Sequence, residues 1–179
     1  RIEATTGAGA EAIVKEEEDL LKQLKSLFNN TPNLVASLQK LIDENDQYKK
    51  AFEEVQKEKA ISLKKKILLE GNSVNGYKLF VLKGEYAPEI VKNVAFMLRS
   101  ECTESIFIAG TDYEGKPNLT LMYTDDLVAH GMNASKDIRE AAKFINGGGG
   151  GQPFFASAGG KNTAGLNDAV NKLIELSTK

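Results

Sequence analysis

From residue 10 to residue 70 the chain holds a single proline, Pro32, and no glycine. A stretch this long without backbone breakers, and with helical apolar spacing, has few options besides long helices. "EAIVKEEEDLLKQLKSLFNN" places Ile13, Leu20, Leu24 and Leu27 on one face, with Val14, Leu21 and Phe28 beside them. The acidic cluster Glu16 to Asp19 falls early in this helix, where carboxylates sit favourably in the helix dipole. "NNTPN" interrupts it. Thr31 is expected to cap the next helix and Pro32 fits its first turn. The second helix is predicted from Pro32 to about Glu70, roughly 55–60 Å long at 1.5 Å per residue.

The stripe of that second helix reads Leu34, Leu38, Leu41, Asn45, Tyr48, Phe52 and Val55, a sustained three-four alternation. Asn45 on the stripe can fix register or partner number. Such a helix cannot bury its stripe alone. The first helix, joined by a short loop, is expected to fold back on part of it as an antiparallel hairpin. The uncovered part, Leu38, Leu41, Tyr48, Phe52 and Val55, is a candidate dimerisation surface for a second copy or for another domain. Late in the same helix Lys57, Lys59, Lys64, Lys65 and Lys66 meet only one acid, Glu58. This run is either a solvated face or a phosphate-contacting stripe, with Lys64 and Lys65 as the candidates.

Beyond Gly71 the texture changes. "GYKLFVLKG" reads as a strand, "APEIVKNVAFMLRSECTE" as an amphipathic helix with Ile90, Val94, Met97 and Leu98 inward, and "SIFIAGTDYEG" as a buried strand. "NLTLMYTDD" alternates as another strand. "NASKDIREAAKFIN" is a helix capped by Asn133 or Ser135, and "GLNDAVNKLIELSTK" closes the chain as a helix. The expected class is α+β: a helical arm over residues 1–71, then a globular α/β domain over 72–179 with a small mixed sheet.

Totals exclude several functions. The net charge is -2, so nucleic acid can be bound only through a local patch. No apolar run reaches membrane-spanning length. The one cysteine, Cys102, has no disulfide partner, which fits a reducing compartment, and a cytoplasmic location is expected. Cys102 reads as a small apolar residue near a helix end, and the single histidine, His130, as a helix-end or turn residue. One Cys and one His make no metal site. Asp125 and Asp126 in "TDD" read as a helix start rather than catalytic carboxylates. The chain therefore carries no catalytic constellation of its own.

The unusual segment is "INGGGGGQPFFASAGGK", with Gly147 to Gly151, Gln152, Phe154, Phe155, Gly159, Gly160 and Lys161. It lacks the phosphate-loop spacing and follows a helix rather than a strand, which disfavours a nucleotide-binding turn. A plain flexible loop is one remaining reading, though two adjacent aromatics would be a liability there. The other is a close-approach site, where another surface meets bare backbone. The residues alone leave these two open.

"GGGGGQPFFASAGGKNTAGLNDAVNKL" resembles the C-terminal signature of alanyl-tRNA synthetases, a glycine run followed by "A-x-A-G-G-K" and a final helix, in a DHHA1-type domain. "RIEATTGAGAEAIV" resembles the junction that follows the editing domain in that family. A related DHHA1 domain ends certain DHH phosphoesterases, but their version carries a histidine within the glycine motif, where this chain has Gln152 and Phe154. The resemblance implies the C-terminal part of a class II synthetase whose parent uses ATP, Mg²⁺ and Zn²⁺ elsewhere. It implies tRNA, bound at its elbow, as partner, a role in linking aminoacylation to editing, and dimerisation through the helical arm. On that basis Gly147 to Gly151, Gln152, Gly159, Gly160 and Lys161 are candidate RNA contacts. Phe154 and Phe155 depart from the more polar residues usual there. The alternatives are a structural coiled-coil adaptor without RNA binding and the DHHA1 domain of a DHH-type phosphoesterase.

Overall fold

A computed structural model describes residues 6–178. The junction motif at residues 1–5 lies outside them. The chain divides into two compact units between Glu53 and Glu54.

The first unit contains α1 (Ala8–Leu27) and the beginning of α2 (Leu34–Glu70). Asn33 rather than Thr31 caps α2, its Oδ1 accepting from the Ala36 backbone N–H at 3.0 Å. At 37 residues α2 is about 55 Å long. The expected hairpin does not close along its length. No residue of α1 is buried; Leu24 near its end and Phe28 just beyond it are half-buried beside the turn, with Leu34 and Ser37 across it. The stripe stays open: Leu38 and Leu41 are exposed, Tyr48 is 75% exposed and Phe52 63%.

In the second unit the C-terminal half of α2 is part of the core. Ala60 and Ile67 are buried against α3 (Pro88–Glu101) and the sheet, with Leu63 half-buried beside them. This is why the compact unit begins at Glu54, well before the composition shift at Gly71.

The sheet has six strands in the order β1-β2-β3-β4-β6-β5. These are β1 (Asn72–Val74), β2 (Tyr77–Gly84), β3 (Ser105–Tyr113), β4 (Lys116–Tyr123), β5 (Gly148–Gln152) and β6 (Phe155–Gly159). Only β2 and β3 pair in parallel, joined by α3; the other pairings are antiparallel. Strand β1 was not expected. It forms a hairpin with β2 through Asn75 and Gly76, both at positive φ, an Asn-Gly turn of the kind that favours hairpins.

The sheet separates two apolar layers. Phe80, Leu82, Phe107, Ala109 and Met122 face α2 and α3. Ile106, Ile108, Leu119, Leu121 and Tyr123 face the other way with α5 (Ala134–Ala142) and α6 (Leu166–Ser177). A Cβ on Gly110 would overlap Val170 Cγ2, so α6 lies closer to β3 than any side chain there permits. Short α4 (Asp125–Ala129) is followed by α5, capped by the Asn133 side chain accepting from Lys136 N–H at 3.1 Å.

Candidate RNA-binding groove

The glycine run is an edge strand, not a loop. β5 pairs with β6 from Gly148 opposite Gly159 to Gln152 opposite Phe155, and β6 pairs with β4, placing Gly159 opposite Asn118. A lateral row therefore crosses three strands: Asn118, Gly159, Gly148. As the outermost strand, β5 leaves one row of backbone N–H and C=O groups without sheet partners.

The glycines sort into two groups by what a Cβ would meet. At Gly147 it would overlap the Gly159 carbonyl oxygen; at Gly149, the Ser157 carbonyl oxygen and Ala158 Cβ; at Gly151, the Phe155 carbonyl oxygen; at Gly160, the Ile145 carbonyl oxygen. These four are glycine because the chain passes close to itself. Gly148 meets nothing within 4 Å, Gly159 only Asn118 Oδ1 at 3.8 Å, and Gly150 the Arg139 guanidinium at 3.7 Å. Packing does not require glycine at these three. Gly148 and Gly159 present bare backbone to solvent, whereas half-buried Gly150 faces α5.

Gly147, Gly148, Gly159 and Gly160 line an open groove of about 660 Å³. Lys161 lines it too, and so does Lys116, which sequence reasoning missed. Lys116 enters because the Glu114-Gly115 turn between β3 and β4 brings it alongside the glycine hairpin. Tyr113 and Pro88 supply apolar wall, and Glu114 is the one acid on the lining. The floor is fixed by backbone bonds: Gly160 N–H to Pro117 O at 3.0 Å, Lys161 N–H to Ile145 O at 2.9 Å and Gly147 N–H to Ala142 O at 3.0 Å.

Other expected residues lie elsewhere. Gln152 sits at the far end of the hairpin. Phe155 stacks on Phe96 with ring centroids 5.1 Å apart, and Phe154 meets Phe96 edge-on at 6.3 Å. Arg99 lies 3.6 Å over the Phe154 ring and also donates to Asp125 Oδ1. The aromatic pair thus packs against α3, and Tyr113 is the aromatic in the groove. Lys64 donates to both oxygens of Glu101 at 2.6 and 2.7 Å, with its side chain 13% exposed. The groove reaches Pro88 at the other end of α3, about 20 Å away along the helix. Lys64 is therefore bound up in an ion pair, while Lys65 is exposed. Cys102 and His130 follow the last residues of α3 and α4. Among the described residues no cluster of three or more metal-ligating side chains occurs, and no helix is long and apolar enough to cross a membrane.

Residues 76–179 match the DHHA1 domain, and the chain belongs to that family. Over nearly its whole length it is similar to proteins named alanine–tRNA ligase: 49% identical over 177 residues to that of Bacteroides thetaiotaomicron and 45% over 176 residues to that of Parabacteroides distasonis, covering 98% of this chain and 20% of each relative. The chain thus spans about one fifth of the length of these relatives. Among solved structures, the crystal structure of the C-Ala domain from Aquifex aeolicus alanyl-tRNA synthetase matches with a TM-score of 0.55 and 28% identity, covering 61% of this chain and 98% of that one. The resemblance drawn from the glycine motif is borne out.

Proposed function

We propose that the chain is the C-terminal region of an alanine–tRNA ligase and that the glycine groove binds the elbow of tRNA. The observation that carries this reading is the row Asn118-Gly159-Gly148. Its two glycines are exposed, bare backbone that packing does not demand, beside the Asn118 side chain and two lysines on the groove lining. The elbow exposes a flat outermost tertiary base pair, which a surface without side chains can approach closely and read by shape. Lys116 and Lys161 would meet the adjoining phosphates. With a net charge of -2 the affinity rests on this patch and is modest. In the parent the domain would hold one tRNA for both aminoacylation and editing. The ATP, Mg²⁺ and Zn²⁺ of such a ligase would be held outside this chain, whose single Cys and single His do not fit a zinc site.

The test compares whole alanine tRNA with a minihelix lacking the elbow. Wild type is expected to prefer the whole tRNA. Gly148→Val, whose Cβ would enter open space on the groove lining, is expected to lose that preference while melting normally. Equal affinity for both RNAs would move the RNA surface elsewhere, Lys65 and its neighbours on α2 being the next place to look, or favour the adaptor reading.

The open stripe of α2 supports a second role, self-association in a cytoplasmic homodimer. Tyr48 and Phe52 would be costly to leave in water if nothing covered them.

A further inference from the structure

On α5, Ser135 and Arg139 are one helical turn apart and so share a face. That face lies against β5: a Cβ on Gly150 would stand 3.7 Å from Arg139 Nη2, 4.0 Å from its Nε and 3.9 Å from Ser135 Oγ. Arg139 is exposed. Among the described residues it has no ion pair or side-chain hydrogen bond, unlike Arg99, which is held by Asp125, or Lys143, which pairs with Glu140 at 2.6 Å. A guanidinium and a hydroxyl thus sit beside bare edge-strand backbone, with their donors unspent.

The position relative to the groove is specific. Gly150 is two residues along β5 from Gly148, about 7 Å at the rise of an extended strand. That is comparable to the separation of neighbouring phosphates along one nucleic-acid strand. Gly148 lies on the groove floor with Lys116 and Lys161; Gly150 lies at Arg139. The glycine edge runs between these cations.

We propose that Arg139, with Ser135, is a second phosphate-binding point for RNA, one nucleotide step along β5 from the groove. It fixes the direction in which the strand leaves the groove, and it rests on the groove being the tRNA site. Arg suits this role because its planar fork can engage two phosphate oxygens at once, whereas the groove lysines act as point charges. Ser135 Oγ adds a neutral donor beside it.

The experiment measures tRNA affinity of this chain against salt for wild type, Arg139→Gln, Arg139→Lys and Lys161→Ala, with thermal melts of each. Arg139 is exposed, so the glutamine variant should melt as wild type. Its affinity should fall roughly three- to tenfold, and the slope of log K against log salt should drop by about 0.7–0.9, the signature of one phosphate released. Arg139→Lys should restore the slope but not the full affinity. Ethylation of the tRNA phosphates, compared between wild type and each variant, should then map the phosphates held by Arg139 and by Lys161 to adjacent or next-adjacent nucleotides. If Lys161→Ala weakens binding but Arg139→Gln changes neither affinity nor slope, the second phosphate point is wrong and the groove stands. Wild type showing no preference for whole tRNA would overturn the groove reading, and the Arg139 point with it.

Discussion

The phenolic hydroxyl of Tyr123 donates to Asp137 Oδ2 across 2.7 Å, fastening the end of β4 to the first turn of α5. Tyr123 is fully buried. Through this bond the sheet sets the position of the helix that carries Ser135 and Arg139 beside the glycine edge.

Burial, then the hydrogen bond and the negative charge of Asp137, push the Tyr123 phenol well above its ordinary value. A raised pKa means the unfolded chain gives up this proton first. The contribution is complete below about pH 10, the unfolded tyrosine value, and is lost progressively as pH rises further. Urea unfolding between pH 8 and 11 should show stability falling above pH 10. In Tyr123→Phe the fall should be shallower, from a starting stability lower by about 1.5–3 kcal/mol for the missing bond to a carboxylate.

Asp126 works at the other end of the pH scale. Burial opposes its charge, but hydrogen bonds from Thr124 and from the Glu104 backbone N–H, at 2.6 Å, hold its carboxyl below the usual range. Its contribution is present above the unfolded value of about 3.9 and disappears as pH falls through the lowered folded value. Asp126→Asn should therefore reduce stability at pH 7 and flatten acid unfolding below about pH 4, as followed by circular dichroism.

Neighbouring glycines should respond oppositely to the same substitution. Gly149→Ala places a methyl group onto the Ser157 carbonyl and Ala158, and should cost about 1–3 kcal/mol, as overpacked sites do. Gly148→Ala points into open space and should leave stability within about 1 kcal/mol of wild type. Thermal melts of the two single variants decide this.

Lys64 and Lys161 should separate in the same way. Lys64→Gln leaves Glu101 without its partner and should lower stability without changing the salt slope of tRNA binding. Lys161→Ala should leave the melt unchanged and cut that slope by roughly 0.7–0.9.

Self-association is expected from the open stripe of α2. Sedimentation at micromolar concentration should show a dimer, and Leu41→Asp with Phe52→Asp should reduce it. A wild type that stays monomeric at high concentration would remove this role.

The sequence by itself determined the helices, because their spacing is local: the glycine-free stretch could form little else, and α3, α5 and α6 follow their apolar periodicities. It also determined the family, since the glycine motif and the final helix are contiguous in the chain. The Asn75-Gly76 turn carries a hairpin signal that is legible in the sequence once its two flanking strands are known. The tertiary structure alone decided that β5 is a strand. Glycine has weak strand preference, and only pairing with β6, with backbones closer than side chains allow at Gly147, Gly149 and Gly151, holds it extended. It alone placed Lys116 beside Lys161 and Arg139 beside Gly150, and engaged Lys64 with Glu101. These juxtapositions depend on strand order and register. Periodicity along the chain does not encode which distant segment will lie next to another; that is settled when the β4–β6–β5 ladder forms and α5 packs against it.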